Sequence, residues 1–341
     1  MTTPIKTYSI EDLAQCVKDA KLPQFRSLQI LSWLYGKGCT SYDEMTNLPK
    51  TLREQFADSF PLYVPELLEK QTSIDGSAKY LLKFHDDALV ETVGLPSSDG
   101  RLTVCVSSQS GCAMGCMFCA TGKKGLNRSL APGELIDQIH VVQEDFAQRV
   151  TNVVIMGQGE PFSNYENTVA ALHIMNHPKL LNIGARHITV STCGLLKGIE
   201  RFSHEPEQFT LAVSLHAARQ EVRNSLMPKL SNQPLNRLRK ELERYAEITG
   251  RRFTFEYALM KDVNDAEEDL QALISYCKGM LCHVNLIPLN AIDDSPFKPV
   301  SRNTMQYWND ELGKAGIAAS IRQSRGSDIS AACGQLAYKR L

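Results

Sequence analysis

Residues 105–122 read Cys105-Val-Ser-Ser-Gln-Ser-Gly-Cys112-Ala-Met-Gly-Cys116-Met-Phe-Cys119-Ala-Thr-Gly122 and hold four of the ten cysteines of the chain. Three of them, Cys112, Cys116 and Cys119, are spaced C-x3-C-x2-C. A cubane iron–sulfur cluster normally takes four thiolates, one per iron, so a compact set of three leaves one iron open to a ligand that is not protein. A structural zinc ion would want a fourth Cys or His at short range, and the nearest downstream histidine is His140. Gly111, Gly115 and Gly122 let a short loop wrap closely around a cluster. A predicted strand at 102–107 precedes the loop, which sets the cysteines at a strand end.

Beyond that strand the periodicity alternates. Short apolar runs at 151–156, 187–192, 209–215, 253–259, 283–288 and 317–321 are separated by helical patterns at 132–149, 164–177, 234–249, 266–277 and 302–315. Strands alternating with helices predict an α/β fold, a parallel βα barrel or an open version of one. Upstream, Tyr80 to Phe84 and Leu89 to Val93 alternate with period two around His85-Asp86-Asp87, as a hairpin does. The first 70 residues read as helices. Ser9-Ile-Glu-Asp12 is an N-cap followed by the stripe Ile10, Leu13, Ala14, Val17; a second stripe runs through Phe25, Leu28, Leu31 and Leu34 to Gly36; a third helix is predicted over 50–60. The expected division is a small N-terminal helical domain, 1–72, and a barrel domain, 73–341.

Lys plus Arg (37) balances Asp plus Glu (38), for a net charge of −1. Any nucleic-acid footprint must therefore be local. Candidates are Arg219, Arg223, Lys229, Arg237, Arg239, Lys240, Arg244, Arg251 and Arg252, the group Lys123, Lys124 and Arg128 beside the cysteine loop, and Arg322, Arg325, Lys339 and Arg340 in the tail. The opening residues lack the apolar run of a signal peptide, and no stretch approaches the ~20 apolar residues of a membrane span. A cytoplasmic enzyme is expected, in which cysteines serve as ligands or redox groups rather than as structural disulfides.

In a parallel barrel the chemistry lies at the carboxyl ends of the strands. There the sequence offers Gly157-Gln-Gly159-Glu160-Pro161, Ser191-Thr192-Cys193-Gly194, Ser214-Leu215-His216 and Pro288-Leu289-Asn290. Glu160 can accept hydrogen bonds from an ammonium group. Two further cysteines stand apart. Cys105 alternates with Val104 and Val106 and so faces the opposite side from them. Cys333 lies among small residues, Ser330-Ala-Ala-Cys333-Gly334, near the C-terminus. Glu91, between Val90 and Thr92 in an apolar strand, is either on a solvated face or held in a site that tunes its pKa.

C-x3-C-x2-C with Phe118 before the last cysteine resembles the signature of radical S-adenosylmethionine (SAM) enzymes, whose open iron chelates SAM. The longer string CVSSQSGCAMGCMFCATGKKG, with GQGE, SLH and the tail SRGSDISAACGQL, resembles the adenosine methyltransferases of the RlmN and Cfr type. The resemblance implies a partial (βα)6 barrel, one 4Fe–4S cluster on Cys112, Cys116 and Cys119, and SAM contacts at Gly159, Glu160, Ser191, Ser214, Leu215, His216 and Asn290. It implies an N-terminal domain that engages RNA and an electron donor such as flavodoxin or ferredoxin. It also implies a chemistry. Cys333 takes a methyl group from one SAM, a 5′-deoxyadenosyl radical from a second removes a hydrogen from it, and the carbon adds to the base as a protein–RNA adduct. Glu91 then takes the proton from the ring, and Cys105 attacks the Cys333 sulfur, leaving a disulfide. The implied substrates are adenosine 2503 of 23S rRNA and adenosine 37 of certain tRNAs, methylated at C2. The rival within the family is the Cfr type, which methylates C8; Pro161 favours the RlmN type, since Cfr tends to have Ala after that Glu, and Gln158 stands where the family often has Met. A rival of another class is a non-catalytic iron–sulfur carrier or sensor, which would need no strand-end polar set.

Overall fold

The computed structural model describes residues 3–337 apart from 291, 293 and 294. Lys339 and Arg340 lie outside the described residues. The N-terminal helices are α1 (Ile10–Asp19), α2 (Phe25–Leu31) and α3 (Lys50–Ser59). α1 begins where the sequence predicts, because Ser9 and Asp12 close a reciprocal capping box that satisfies two backbone donors at the helix start. α2 runs on into a π turn at Ser32–Gly36, where the expected second helix ends.

Three antiparallel strands follow, β1 (Glu66–Thr72), β2 (Ala78–Lys83) and β3 (Leu89–Pro96), then β4 (Leu102–Cys105). A small two-stranded ribbon, β5 (Gln109–Gly111) and β6 (Leu126–Ser129), brackets the cysteine loop and the short helix α4 (Ala120–Lys124). The remainder alternates as α5 (Pro132–Phe146), β7 (Asn152–Ile155), α6 (Tyr165–Asn176), β8 (Ile188–Thr192), α7 (Leu196–Phe202) and β9 (Thr210–Ser214). It continues as α8 (Gln220–Leu226), α9 (Leu235–Thr249), β10 (Phe253–Leu259), α10 (Glu267–Cys277), β11 (Cys282–Pro288), α11 (Arg302–Lys314) and β12 (Ala319–Ile321).

These strands form one sheet in the order β1-β2-β3-β4-β7-β8-β9-β10-β11-β12. β4 and β7 to β12 are mutually parallel, and β1 to β3 extend that sheet antiparallel on one side. The order has two free edges, which is the open barrel expected. β10 shows why it curls around a centre: Phe253, Phe255 and Tyr257 are fully buried among the aromatic and helix side chains outside, while Glu256 and Ala258 point to the interior cavity. β1, at the end of the segment expected to be helical, belongs to this sheet, since it pairs with β2 from Glu66 to Thr72. Its side chains are almost all exposed, so the run ELLEKQT carries no buried face for a period-two pattern to reveal.

The helical N-terminus shares one continuous core with the barrel. Its contact with α5 is polar as well: Lys6 and Asp137 form a buried ion pair at 2.5 Å, and a Cβ on Gly133 would stand 2.5 Å from that of Lys6. At the other end, the tail crosses back to the β1–β2 turn. Asp328 accepts from Ser73 Oγ (2.6 Å) and Ile74 N (3.1 Å), and Asp75 accepts from Gly326 N (2.9 Å).

Candidate active site

One cavity of ≈ 270 Å³ opens at the carboxyl ends of the parallel strands. Strands β4 and β7 to β11 each contribute lining residues, and Arg322 joins them just past β12. Cys112, Cys116 and Cys119 line it, each half-buried. Their loop is shaped by backbone constraints. Gly111 has φ +79°, and a Cβ there would stand 2.1 Å from the Gly125 carbonyl oxygen, so only glycine fits. Lys229 Nζ holds the Ala113 carbonyl at 2.6 Å, and Met117 N donates to Leu226 O at 3.0 Å.

The three thiols fit a cluster better than a single ion. Thiolates around one tetrahedral ion at bonds of ~2.3 Å would be roughly 3.8 Å apart. Among the described residues, the one set of three ligand atoms found within 4.8 Å of each other is His173, Glu205 and Glu207, so the cysteine sulfurs are spread more widely. The backbone N–H of Met114 already points at Cys112 Sγ (3.5 Å), a donor of the type that supports cluster sulfurs.

Glu160 is buried and lines the cavity. One carboxylate oxygen accepts from Phe162 N (3.0 Å) and the other from Cys193 N (2.7 Å), which leaves each with a further lone pair. Burial raises its pKa against those bonds. Gly159 has φ +105°, and a Cβ there would press on the Gln109 side chain at 2.6 Å. Ser191, Ser214 and Asn290 line the same space half-buried. His216 is held down to about 3 by burial and then by Arg223, so it is neutral; its Nδ1 accepts from Ala258 N (3.0 Å), which leaves the proton on Nε2. Its ring meets Phe118 edge-on at 4.6 Å. Leu215 differs from the rest of the expected set: its side chain is fully buried and is not part of the cavity wall.

Cys105 and Cys333, 228 positions apart in the chain, line this cavity together, and both are free thiols. Cys105 is half-buried on the inner face of β4, opposite Val93, and its thiol is pushed up to about 12 by burial and then by the charge of Cys333, with Arg322 pulling the other way. Cys333 is exposed and lines the cavity. The tail that carries it is pinned on both sides. Asn290 Nδ2 donates to Cys333 O (3.1 Å), Ala120 N to Gly334 O (2.8 Å) and Thr121 Oγ1 to Leu336 O (2.6 Å).

Glu91 is buried and not on a solvated face. It is paired with Lys79 Nζ at 3.1 Å, Lys79 also reaches Ser330 O (3.4 Å) in the tail, and Glu91 is not part of the cavity lining. Burial raises its pKa, with Lys79 opposing.

Three residues take roles in this site that the sequence did not assign to them. Gln158 turns inward and accepts from Glu91 N at 3.2 Å, fixing the strand that carries Glu91. Arg223, 1% exposed, donates to Ser214 O (3.0 Å), Leu215 O and Cys193 O (2.6 Å) and so ties two strand ends together. Glu256 lies on the cavity wall with Arg322. A basic residue in an amphipathic helix reads as surface, so only folding shows that Arg223 is interior. Other arginines of the expected RNA set are engaged within the protein. Arg128 is committed to Asp86 and Glu134, Arg239 to the carbonyls of Ser275, Tyr276 and Lys278, and Arg251 to those of Glu207 and Phe209.

Residues 106–274 match the radical SAM superfamily, and residues 5–61 match the ribosomal RNA large subunit methyltransferase N-terminal domain. The chain is 43% identical over 329 residues to a probable dual-specificity RNA methyltransferase RlmN of Clostridium tetani, covering 96% of this chain and 94% of that one. It belongs to the RlmN family. A Geobacillus thermodenitrificans protein of the same description is 46% identical over 318 residues, 92% of this chain and 87% of that one. The crystal structure of a radical SAM methyltransferase from Sphaerobacter thermophilus superposes with a TM-score of 0.92 at 42% identity, covering 98% and 99% of the two chains. The RlmN family works with a 4Fe–4S cluster and SAM, and the cavity's donor set fits both. Among the described residues no helix is long and apolar enough to cross a membrane.

Proposed function

We propose that this RlmN-family chain is a cytoplasmic, dual-specificity RNA methyltransferase that places a methyl group on C2 of adenine, at adenosine 2503 of 23S rRNA and adenosine 37 of tRNAs. One observation supports this above the rest: two free thiols from distant parts of the chain, Cys105 and Cys333, share a cavity with three cluster-type cysteines. An iron–sulfur carrier has no use for that pair. C2 of adenine is an electron-poor amidine carbon and cannot attack a methyl sulfonium, so the carbon must come by another route.

In this reading Cys112, Cys116 and Cys119 hold the cluster. Gly159 and Glu160 hold the amino end of SAM, and Ser191, Ser214, His216 and Asn290 offer polar partners to the rest of it, with Leu215 contributing only its backbone. When bound, the cluster with SAM supplies a strong hydrogen-atom abstractor, and SAM also supplies the methyl group; a small electron donor such as flavodoxin or ferredoxin supplies the electron. Cys333 carries the one-carbon unit, on a tail whose carbonyls are tied to Asn290 and α4. Cys105 is the resolving thiol. Burial raises the pKa of Cys105, with Arg322 opposing, so it rests as a thiol until there is an adduct to resolve. Glu91 accepts the ring proton once the site has opened to it.

Mass spectrometry of nucleosides from an in vitro reaction tests the reading. 2-Methyladenosine is expected, and Cys112→Ala, Cys116→Ala or Cys119→Ala should lose both the brown colour and SAM cleavage. A methyl group at C8 would move the assignment to the Cfr type, and a cluster-loaded protein that leaves SAM intact under strong reductant would leave an electron carrier.

A further inference from the structure

Glu256 is 4% exposed and stands midway along β10 with its carboxylate on the cavity wall. Its neighbours across the sheet are Ser214 on β9 and Asn285 on β11. One oxygen, Oε1, accepts from Asn285 Nδ2 at 3.0 Å. Asn285 Oδ1 in turn accepts from Ser320 Oγ (2.8 Å), whose oxygen is 2.8 Å from His283 Nε2. Because the serine proton is given to Asn285, His283 must donate, and the whole chain is ordered with Glu256 as the final acceptor. The other oxygen, Oε2, is buried and has no hydrogen-bond partner among the described residues. Arg322 Nη1 forms an ion pair with it at 3.7 Å, too far for a hydrogen bond. A buried carboxylate oxygen paired in charge but not hydrogen-bonded is costly to maintain, and a donor on a ligand would complete it.

We infer that Glu256 Oε2 accepts a hydrogen bond from the exocyclic amine of the target adenine and so selects adenine over 6-oxopurines. The inference rests on the function proposed above. The amine and C2 lie on the same Watson–Crick edge of the base, which is the edge a flipped base presents to a pocket. Glu256 lines the cavity together with Cys333, the thiol that must reach C2, and Arg322 lines it too, within electrostatic reach of Glu256 and both cysteines of the pair. A 6-oxo group would set a carbonyl oxygen against a carboxylate oxygen, both acceptors, with Asn285 holding the carboxylate from turning away.

The test measures binding of two RNA hairpins, one with adenosine and one with inosine at the target position, to the cluster-reconstituted, SAM-loaded enzyme by fluorescence anisotropy. Wild-type protein should prefer adenosine by about tenfold or more, the discrimination typical of a well-made base contact. Glu256→Gln is isosteric and can donate as well as accept, so it should lose that preference or reverse it while SAM affinity stays unchanged. Equal affinity of the wild type for the two hairpins would overturn the inference whether or not the variant folds. So would a Glu256→Gln variant that kept the preference but lost SAM affinity, which would place the carboxylate against SAM. If the wild type discriminated as expected but methylated neither RNA, the proposed function would fail, and the inference with it.

Discussion

Cys105 and Cys333 are separable by what each leaves behind when removed. Cys105→Ala should accumulate a covalent RNA–protein adduct through Cys333, since the carbon bridge forms and the thiol that would release it is absent; Cys333→Ala should form none. A denaturing gel of the reaction decides this, and normal turnover by Cys105→Ala without a cross-linked band would end the resolving role. Glu91 is a sharper case, because its carboxylate is buried, raised and engaged by Lys79. Glu91→Gln keeps the shape and removes the basicity. RNA methylation should fall by on the order of 10² or more while SAM cleavage and methylation of Cys333 persist. An unchanged RNA methylation rate would pass the proton to another group.

At the scale of elements, the tail and the β1–β2 turn act together. Asp75 is held below the usual carboxylate range: hydrogen bonds from Ser77, Gly326 and Ser73 outweigh the burial that would raise it. Arg325 spans to the carbonyls of Pro96 and Asp75, and Asp328 caps Ser73 and Ile74. These contacts set where Cys333 stands. Asp328→Ala removes two of them, at 2.6 and 3.1 Å. Transfer of the methyl group to RNA should fall by about tenfold, since a small misplacement of a reacting group is expensive. Protease cleavage within 322–337 should become faster. Both rates unchanged from wild type would show that the tail is positioned by Asn290 and α4 alone.

For the whole molecule, the junction between the N-terminal helices and α5 gives a pH dependence. His140 on α5 is held down to about 4 by burial and then by the charge of Lys6, and a Cβ on Gly38 would touch its ring at 2.9 Å. His216 is held down further, to about 3. An unfolded chain protonates these histidines near pH 6.5, and the folded chain does not until much lower. Their contribution is therefore complete above pH 6.5 and is lost as pH falls towards 4, by up to about 1.4 kcal/mol per pH unit for each histidine. Asp137, raised to about 6 by burial, opposes this in part between its ordinary value and 6. Denaturant midpoints measured from pH 7 to pH 4.5 should drop more steeply for the wild type than for His140→Gln. Parallel curves would remove His140 from the account.

The sequence by itself determined the alternation of strands and helices, because period and capping are local properties: Ser9 with Asp12 starts α1, and the run at 253–259 is β10 to the residue. It also determined the cysteine triad and the glycine-rich turns, since a loop that wraps a cluster is built from residues adjacent in the chain. The buried β5 is three residues without an apolar side chain, and β6 and β1 are largely exposed, so none of them carried an apolar pattern to announce it. Tertiary structure alone decided everything that depends on convergence. Burial made Arg223 a tie between strand ends, paired Glu91 with Lys79, and left Glu256 with an oxygen that Arg322 approaches without a hydrogen bond. Cys105 and Cys333 became a pair for the same reason: sheet pairing sets one on the inner face of β4, and the contacts of the tail carry the other back to it. Spacing along a chain cannot encode that meeting, because the distance between two thiols is set by everything folded between them.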